Sequence, residues 1–227
     1  PFTIRDHELH GATKSWTLTT RVWSSPMSNR ERVTPRPDAL TTPPANALLP
    51  DPIKGAPKPG NVVPSHYRWC MGCGADHPGG MHMKVVAGEQ LTMHCQLLVS
   101  DYHQGAPGLA HGGIMATAMD ESMGVLNRFL GIPAVTVHLS VDFKKPVPVG
   151  TTLFIRTHIT GVRGRKVFSQ GTAHLGAADG PVAIVATALF LQVPLEHFLE
   201  AGSPEHVARA IEDRQRGGPS WIAEVNP

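Results

Sequence analysis

The stretch that decides the fold is LAHGGIMATAMDESMGVLNRF, residues 109–129, in which a His-Gly-Gly triplet opens an apolar segment. Apolar residues recur there at the three- and four-residue spacing of a helix, so one side of the helix is suited to pack against a sheet. That stripe comprises Met115, Ala118, Met119, Ser122, Met123, Leu126 and Phe129. The pattern predicts a helix from Gly113 to Phe129, because Gly131 and Pro133 follow it and stop helices.

A second side of the same helix carries small and polar residues where a solvated face would carry Lys, Glu or Gln. These residues are Gly113, Thr117, Asp120, Gly124 and Asn127. Small side chains allow a ligand to approach closely, and a carboxylate desolvated among them has a raised pKa, which suits a general base. Asp120 is therefore a candidate catalytic residue. Glu121 and Arg128 lie outside this stripe and are predicted to be ordinary solvated charges.

The His111-Gly112-Gly113 triplet places backbone N–H groups at the positive end of the helix dipole. Such a site suits an oxyanion or a carbonyl oxygen, although a tight turn alone would also favour two glycines. Asp120 follows His111 by nine residues, which is about 13 Å along a helix axis. The two residues cannot act on one carbonyl within one chain, so a shared site requires two subunits around a two-fold axis.

The rest of the chain predicts an α+β fold in which the helix covers one face of an antiparallel sheet. Alternation of apolar and polar residues over 135–143 is the clearest strand signal. Further strands are predicted at 81–86, 91–99, 152–159, 167–175 and 182–193, and a short helix at 204–214. These elements divide the chain into a Pro-rich N-terminal extension (1–64), a main domain (65–195) and a C-terminal tail with the short helix (196–227). The extension is either a mobile leader or an arm that packs on a partner subunit.

Composition excludes several function classes. A formal net charge of +2 argues against a dedicated nucleic-acid-binding protein. No apolar run approaches the roughly 20 residues that a membrane span requires. Three cysteines are too few for a disulfide scaffold, and the first residues lack the pattern of a secretory signal. A cytoplasmic location is expected.

Three segments together resemble the hotdog-fold acyl-CoA thioesterases, in particular the phenylacetate-degradation-type branch. They are PGLAHGGIMATAMDESMG (107–124), VTVHLSVDFKKPVPVG (135–150) and GVRGRKVF (161–168). The resemblance covers roughly residues 65–195. It implies an antiparallel sheet wrapped around one long central helix, in a homodimer or a dimer of dimers. It also implies hydrolysis of an acyl-CoA thioester with no metal or redox cofactor, coenzyme A being part of the substrate.

The resemblance also implies roles for individual residues. Gly112 would offer the N–H that polarises the thioester carbonyl, with His111 fixing the turn and Gly113 beginning the helix. Asp120 would be the general base for water or a nucleophile, and Thr136 would orient the water with its hydroxyl. The family's acid and hydroxyl usually come from the subunit opposite the glycine.

Other residues are candidates for binding the substrate. Many relatives carry Asn or Gln six residues before the histidine, where this chain has Gly105, so Gln104 and His103 are the candidates to replace that side chain. Asn127 is a second polar candidate. A basic cluster at the strand ends is either a solvated rim or a binding site for the coenzyme phosphates. Its members are Lys144, Lys145, Arg163, Arg165 and Lys166.

The segment CMGCGADH, residues 70–77, contains the C-x-x-C pair that forms half of many zinc sites. No second pair exists, although Cys95, His94, His77 and His82 are possible further ligands. The prediction is a glycine-rich loop with two free thiols and no metal.

The leading hypothesis is a thioesterase for medium- or long-chain fatty acyl-CoA, with the acyl chain in a tunnel lined by Met115, Met119, Met123 and Phe129. A hotdog-fold hydratase or dehydratase and a non-catalytic acyl-CoA sensor are the alternatives. Replacement of Asp120 by Asn distinguishes them, since only a catalyst would lose hydrolysis while still binding acyl-CoA.

Overall fold

A computed structural model describes residues 34–36 and 38–215 of the chain, and an antiparallel sheet of seven strands is its main element. The strands are β1 (Val62–Val63), β2 (Lys84–Ala87), β3 (Thr92–Leu98), β4 (Gln104–Ala106), β5 (Leu109–Ala110), β6 (Ala134–Phe143), β7 (Thr152–Arg163), β8 (Lys166–Leu175) and β9 (Val182–Gln192). The large sheet has the order β1-β2-β3-β7-β8-β9-β6, and β4 and β5 form a separate pair. The helices are α1 (Gly112–Gly124), α2 (Glu196–Ala201) and α3 (Pro204–Gln215).

Helix α1 lies against one face of the large sheet, which confirms the predicted α+β hotdog arrangement. Every residue of the predicted apolar stripe is buried, with exposures of 0–2%. Gly171 on β8 permits the close approach, because a Cβ there would lie 2.8 Å from Cε of Met119. Beyond Gly124 the chain tightens into a 3-10 turn over Val125–Phe129, so the predicted helix is regular only as far as Gly124. Among the described helices, none is long and apolar enough to cross a membrane.

The sheet differs from the prediction at two places. The strand predicted at 81–86 begins only at Lys84 and runs to Ala87, because the N–H groups of Met81 and Met83 bond to the loop carbonyls of Met71 and Gly72. The other difference is at the β7–β8 hairpin. Strand β7 was expected to end at residue 159, but it continues to Arg163. A register shift between Ile159 and Gly161 allows this extension, and Gly164, with φ of 55°, makes the turn into β8. The short elements β1, β4, β5 and α2 were not predicted, because two to six residues carry no periodic signal.

The described part of the Pro-rich extension packs on its own chain. Leu48 pairs with Val162 on β7 through two backbone hydrogen bonds of 2.9 and 2.7 Å. The hydroxyl groups of Thr41 and Thr187 are 2.7 Å apart, and Arg36 Nε donates to Asp142 Oδ1 at 2.7 Å. This part of the extension therefore contacts its own sheet, and the choice between a mobile leader and an arm on a partner subunit stays a prediction. Residues 1–33, 37 and 216–227 lie outside the described residues, so the proposed domain limits stay predictions.

Candidate active site

The N-terminus of α1 is held by local hydrogen bonds. His111 is the N-cap, with extended φ and ψ of −69° and 132°, and its Nδ1 accepts from the Gly113 N–H at 2.9 Å. The neutral imidazole therefore carries its proton on Nε2. The His111 N–H donates to the carbonyl oxygen of His103 at 2.7 Å. These two contacts fix the turn and leave Gly112 to present its N–H, which has no acceptor within the helix.

The loop before His111 explains why this chain has Gly105 where many relatives have Asn or Gln. A Cβ on Gly105 would lie 2.7 Å from Cα of His111, so an Asn or Gln side chain does not fit there. Gln104 does not take its place. Its Oε1 accepts from the Gly108 N–H at 2.8 Å and its Nε2 donates to Asp101, so the side chain closes its own loop.

A groove of about 340 Å³ opens beside Gly112. Its walls include Met115 from α1, Phe143 from the end of β6, and the backbone and side chains of Lys144 and Lys145. An apolar wall with two cations at its rim suits an acyl chain joined to an anionic carrier.

Asp120 lies about two turns further along α1, where its Oδ1 accepts a hydrogen bond of 2.8 Å from the Thr136 hydroxyl. Burial raises the pKa of Asp120 and the Thr136 hydrogen bond opposes the rise. The Thr136 hydroxyl donates its only proton to Asp120 and its oxygen remains able to accept one from water.

A β-bulge brings Thr136 to Asp120. In strict alternation Thr136 and Leu139 face opposite sides of the sheet. The register between β6 and β9 shifts between Thr136 and His138, and the extra residue, Val137, moves Thr136 to the face that α1 covers.

Within one chain the two halves of the candidate site are apart. Gly112 and Asp120 are separated by eight residues, or about 12 Å along the helix axis. Thr136 and Phe143 lie near opposite ends of β6, about 23 Å apart. The structure thus places Asp120 with Thr136, and Gly112 with Lys144 and Lys145, but it does not bring the two sets together in one chain.

Strand β6 is the edge of the sheet, and no described segment pairs with its outer side. Val137 and Phe143 on this strand are 55% and 54% exposed. A ten-residue edge with exposed apolar side chains is a ready template for pairing with a second strand.

The predicted substrate-binding residues are distributed over both ends of the sheet. Lys144 lies 3.4 Å from Asp142 at the groove. Arg163, Arg165 and Lys166 form the β7–β8 hairpin at the other end, and Arg165 donates to the Gln192 carbonyl at 3.4 Å. Asn127 is only 7% exposed and donates to the Gly124 carbonyl, so the structure does not bring it together with the other candidates.

Two predictions about the helix are wrong. Met119, Met123 and Phe129 are fully buried against the sheet, so no tunnel runs along them, and only Met115 reaches the groove. Glu121 is not a solvated charge, because its side chain is 14% exposed. Burial raises the pKa of Glu121 to about 7, with the nearby His66 charge opposing the rise.

Glu121 contacts the C-x-x-C loop, for which the sequence suggested other residues as possible ligands. Neither Cys70 nor Cys73 forms a disulfide, and the side chains next to them are those of His66 and Glu121. None of His77, His82, His94 and Cys95 joins this group. His82 instead bonds to the Gly74 carbonyl at 2.8 Å. The signal available in the sequence was Glu121, the glutamate that follows Asp120. Its position on the helix did not show that a loop packs against it.

Comparisons with known proteins agree on one family. The profile of the thioesterase superfamily matches residues 107–176. The chain is 35% identical over 103 residues to acyl-coenzyme A thioesterase THEM4 of Xenopus laevis, covering 44% of this chain and 45% of that protein. It is 31% identical to acyl-coenzyme A thioesterase 13 of Homo sapiens over 100 residues, covering 36% of this chain and 71% of that protein.

A solved structure, zebrafish thioesterase superfamily member 2, is similar with a TM-score of 0.47 and 19% identity, covering 52% of this chain and 90% of that one. The chain spans less than half the length of the THEM4 proteins that it matches.

Proposed function

This chain belongs to the thioesterase superfamily, and on that premise we propose that it is an acyl-CoA thioesterase with an active site completed by a second copy. The observation that carries the proposal is the hydrogen-bonded pair of Asp120 and Thr136 beside the open edge of β6. This pair lies at the opposite end of α1 from the free N–H of Gly112.

A two-fold axis beside β6 completes the site. When two β6 edges pair antiparallel, the Phe143 end of one strand meets the Ala134 end of the other. Gly112, Lys144 and Lys145 of one subunit then face Asp120 and Thr136 of its partner. Two equivalent sites result, and neither exists in a monomer.

The reaction at each site is hydrolysis assisted by a base. The Gly112 N–H binds the thioester carbonyl oxygen and stabilises the negative charge that develops on it. Asp120 accepts a proton from water, the oxygen of that water attacks the carbonyl carbon, and the C–S bond breaks. Asp120 returns the proton to the departing sulfur, which leaves the carboxylic acid and free coenzyme A. Thr136 holds the carboxylate and accepts a hydrogen bond from the water.

The substrate class follows from the groove. Met115 and Phe143 provide an apolar wall for a medium- or long-chain fatty acyl group, and Lys144 and Lys145 lie where coenzyme phosphates can bind. No metal or redox cofactor is required for this chemistry. Hydrolysis rates over a series of acyl-CoA chain lengths define the preference, and rates that fall steadily from acetyl upward contradict it.

Complementation between two inactive variants tests the shared site. Heterodimers of Asp120→Asn and Gly112→Pro chains, isolated through two different affinity tags, contain one site with both changes and one with neither. Since the sites are equivalent, we expect about half of the wild-type activity per dimer. Heterodimers as inactive as either homodimer would show that each site lies within one chain.

The Asp120→Asn homodimer also distinguishes a catalyst from a binding protein. We expect it to bind acyl-CoA with nearly unchanged affinity, measured by calorimetry, while hydrolysis falls by about 10²–10⁴. Unchanged hydrolysis would remove Asp120 from the mechanism.

A further inference from the structure

Four side chains with metal-binding atoms meet on the side of α1 away from the candidate active site. Three come from the loop before β2, namely His66, Cys70 and Cys73, and the fourth is Glu121 on α1. One ligand atom from each lies within 4.8 Å of every other.

Three of the separations between these atoms are close to those of a tetrahedral site. Cys73 Sγ is 3.3 Å from His66 Nδ1, Cys70 Sγ is 3.3 Å from Glu121 Oε2, and His66 Nδ1 is 3.7 Å from Glu121 Oε1. An ion with Zn–S bonds of about 2.3 Å and Zn–N or Zn–O bonds of about 2.1 Å holds neighbouring ligand atoms about 3.4–3.8 Å apart. The other pairs of ligand atoms lie within 4.8 Å, so the group surrounds one ion once these pairs close by up to about 1 Å.

The loop backbone is arranged to hold the two sulfur atoms. The Gly72 N–H donates to Cys70 Sγ at 3.3 Å and positions that sulfur atom. The Gly74 N–H donates to the Cys70 carbonyl at 2.9 Å and closes the turn. A Cβ on Gly72 would collide with the Glu121 side chain, and one on Gly74 with the backbone of Arg68 and Cys70. Glycine is thus required at both positions for the loop to reach α1.

Flanking hydrogen bonds fasten the same loop to the chain that enters β2. The N–H groups of Met81 and Met83 donate to the carbonyl oxygens of Met71 and Gly72, at 2.8 and 2.9 Å. The cysteines are consequently held in place from both sides before any ion binds.

We propose that His66, Cys70, Cys73 and Glu121 bind one zinc ion that fastens the 65–83 loop to α1. Two thiolates, an imidazole and a carboxylate are borderline-soft ligands that suit Zn²⁺. Binding displaces the two thiol protons and leaves the group with a net charge of −1, near Arg128, whose charge acts on His66.

The site is structural. The protein supplies all four ligands and leaves no position for water or substrate, as in zinc sites that stabilise folds. Glu121 is adjacent in sequence to Asp120, but its side chain leaves the helix about 100° further round the axis. The ion would therefore fix the helix that carries Asp120 without touching the reacting atoms.

Cobalt substitution tests the assignment on the full chain. The protein is stripped with EDTA under reducing conditions and titrated with Co²⁺. We expect one Co²⁺ per chain, a thiolate-to-cobalt charge-transfer band, the strong visible bands of tetrahedral cobalt, and displacement by one equivalent of Zn²⁺. Cys73→Ser and His66→Ala should lose or greatly weaken these bands. The matched controls Cys95→Ser and His206→Ala should retain them, because neither residue is in the group.

Three results would overturn the proposal. The first is the absence of tetrahedral cobalt bands in the wild type. The second is a stoichiometry that the Cys73 and His66 substitutions leave unchanged, which would place the ion on other histidines. The third is a Cys70–Cys73 disulfide, detected by intact mass, that persists after reduction and zinc addition.

Alkylation of the wild-type protein keeps the proposal testable if the variants fail to fold. With zinc bound, Cys70 and Cys73 should resist iodoacetamide, and after chelation both should react. Cys95 is an internal control, because it is fully buried and burial raises its pKa to about 12. Equal labelling of Cys70 and Cys73 with and without zinc would contradict the site. A protein that does not bind zinc but still hydrolyses acyl-CoA would contradict the zinc site and leave the proposed function intact. The two proposals can therefore fail separately.

Discussion

Replacing Gly112 by proline removes one N–H from the candidate site and leaves the start of α1 intact. Proline is favoured at the first position of a helix, where the N–H has no intrahelical acceptor. It also requires an extended residue before it, and His111 already has φ of −69° and ψ of 132°. The substitution is therefore expected to alter chemistry rather than folding.

The size of the effect follows from the donors available at this turn. The N–H of His111 is bonded to the His103 carbonyl and that of Gly113 to His111 Nδ1. Among the first two helical residues, only the Gly112 N–H remains for the substrate. Loss of one preorganised donor to a developing oxyanion lowers kcat by about 10²–10³, equivalent to about 2.7–4 kcal/mol. KM should change little, because the interaction strengthens in the transition state.

Gly112→Ala is the matched control. Its Cβ would lie 3.7 Å from Cζ of Phe143, an ordinary contact, and the N–H is retained. The assay follows released coenzyme A with a thiol reagent, with circular dichroism and melting temperature as checks on folding. A Gly112→Pro enzyme with more than a tenth of the wild-type kcat would refute the role of this N–H. An Ala variant that loses as much activity as the Pro variant would show that crowding, not the donor, is responsible.

Three further outcomes are expected. Thr136→Val should lower kcat about tenfold or more, because a hydrogen bond to a carboxylate is lost, whereas Thr136→Ser should restore it; equal loss in both would exclude the hydroxyl. Val137→Lys should shift the dimer to monomer in sedimentation and abolish hydrolysis, whereas Val62→Lys, at the opposite edge, should not. Arg36 holds the pKa of Asp142 at about 2, below its value of about 3.9 in unfolded chains. The stabilisation is therefore complete above pH 4 and is lost as pH falls toward 2. Asp142→Asn should lower the melting temperature at pH 7, and the difference should narrow below pH 4.

Most of the fold could be predicted from the periodicity of apolar residues within single helices and strands. The spacing of Met115, Met119 and Met123 predicted the buried face of α1, and the alternation along 135–143 predicted β6. Both patterns are imposed by the geometry of one element against one core, so they are visible in a single sequence. The separation of His111 and Asp120 likewise required only the rise of a helix.

Contacts between distant segments were not predictable in the same way. Strict alternation along β6 predicts that Thr136 and Leu139 face opposite sides of the sheet. The bulge at Val137 places them on the same side. His66 and Glu121 are 55 residues apart, and their meeting depends on how the 65–83 loop folds over α1. Nothing in the helical pattern distinguishes a Glu121 that faces water from one that a loop covers.

The segment that crosses the outer face of the sheet limits how the proposed dimers can assemble further. Pro43 and Ala47 lie against Gly161, and Thr41 meets Thr187, on strands that a second sheet would have to contact in order to stack back to back. Tetramers built by such stacking would require this segment to be displaced from the sheet.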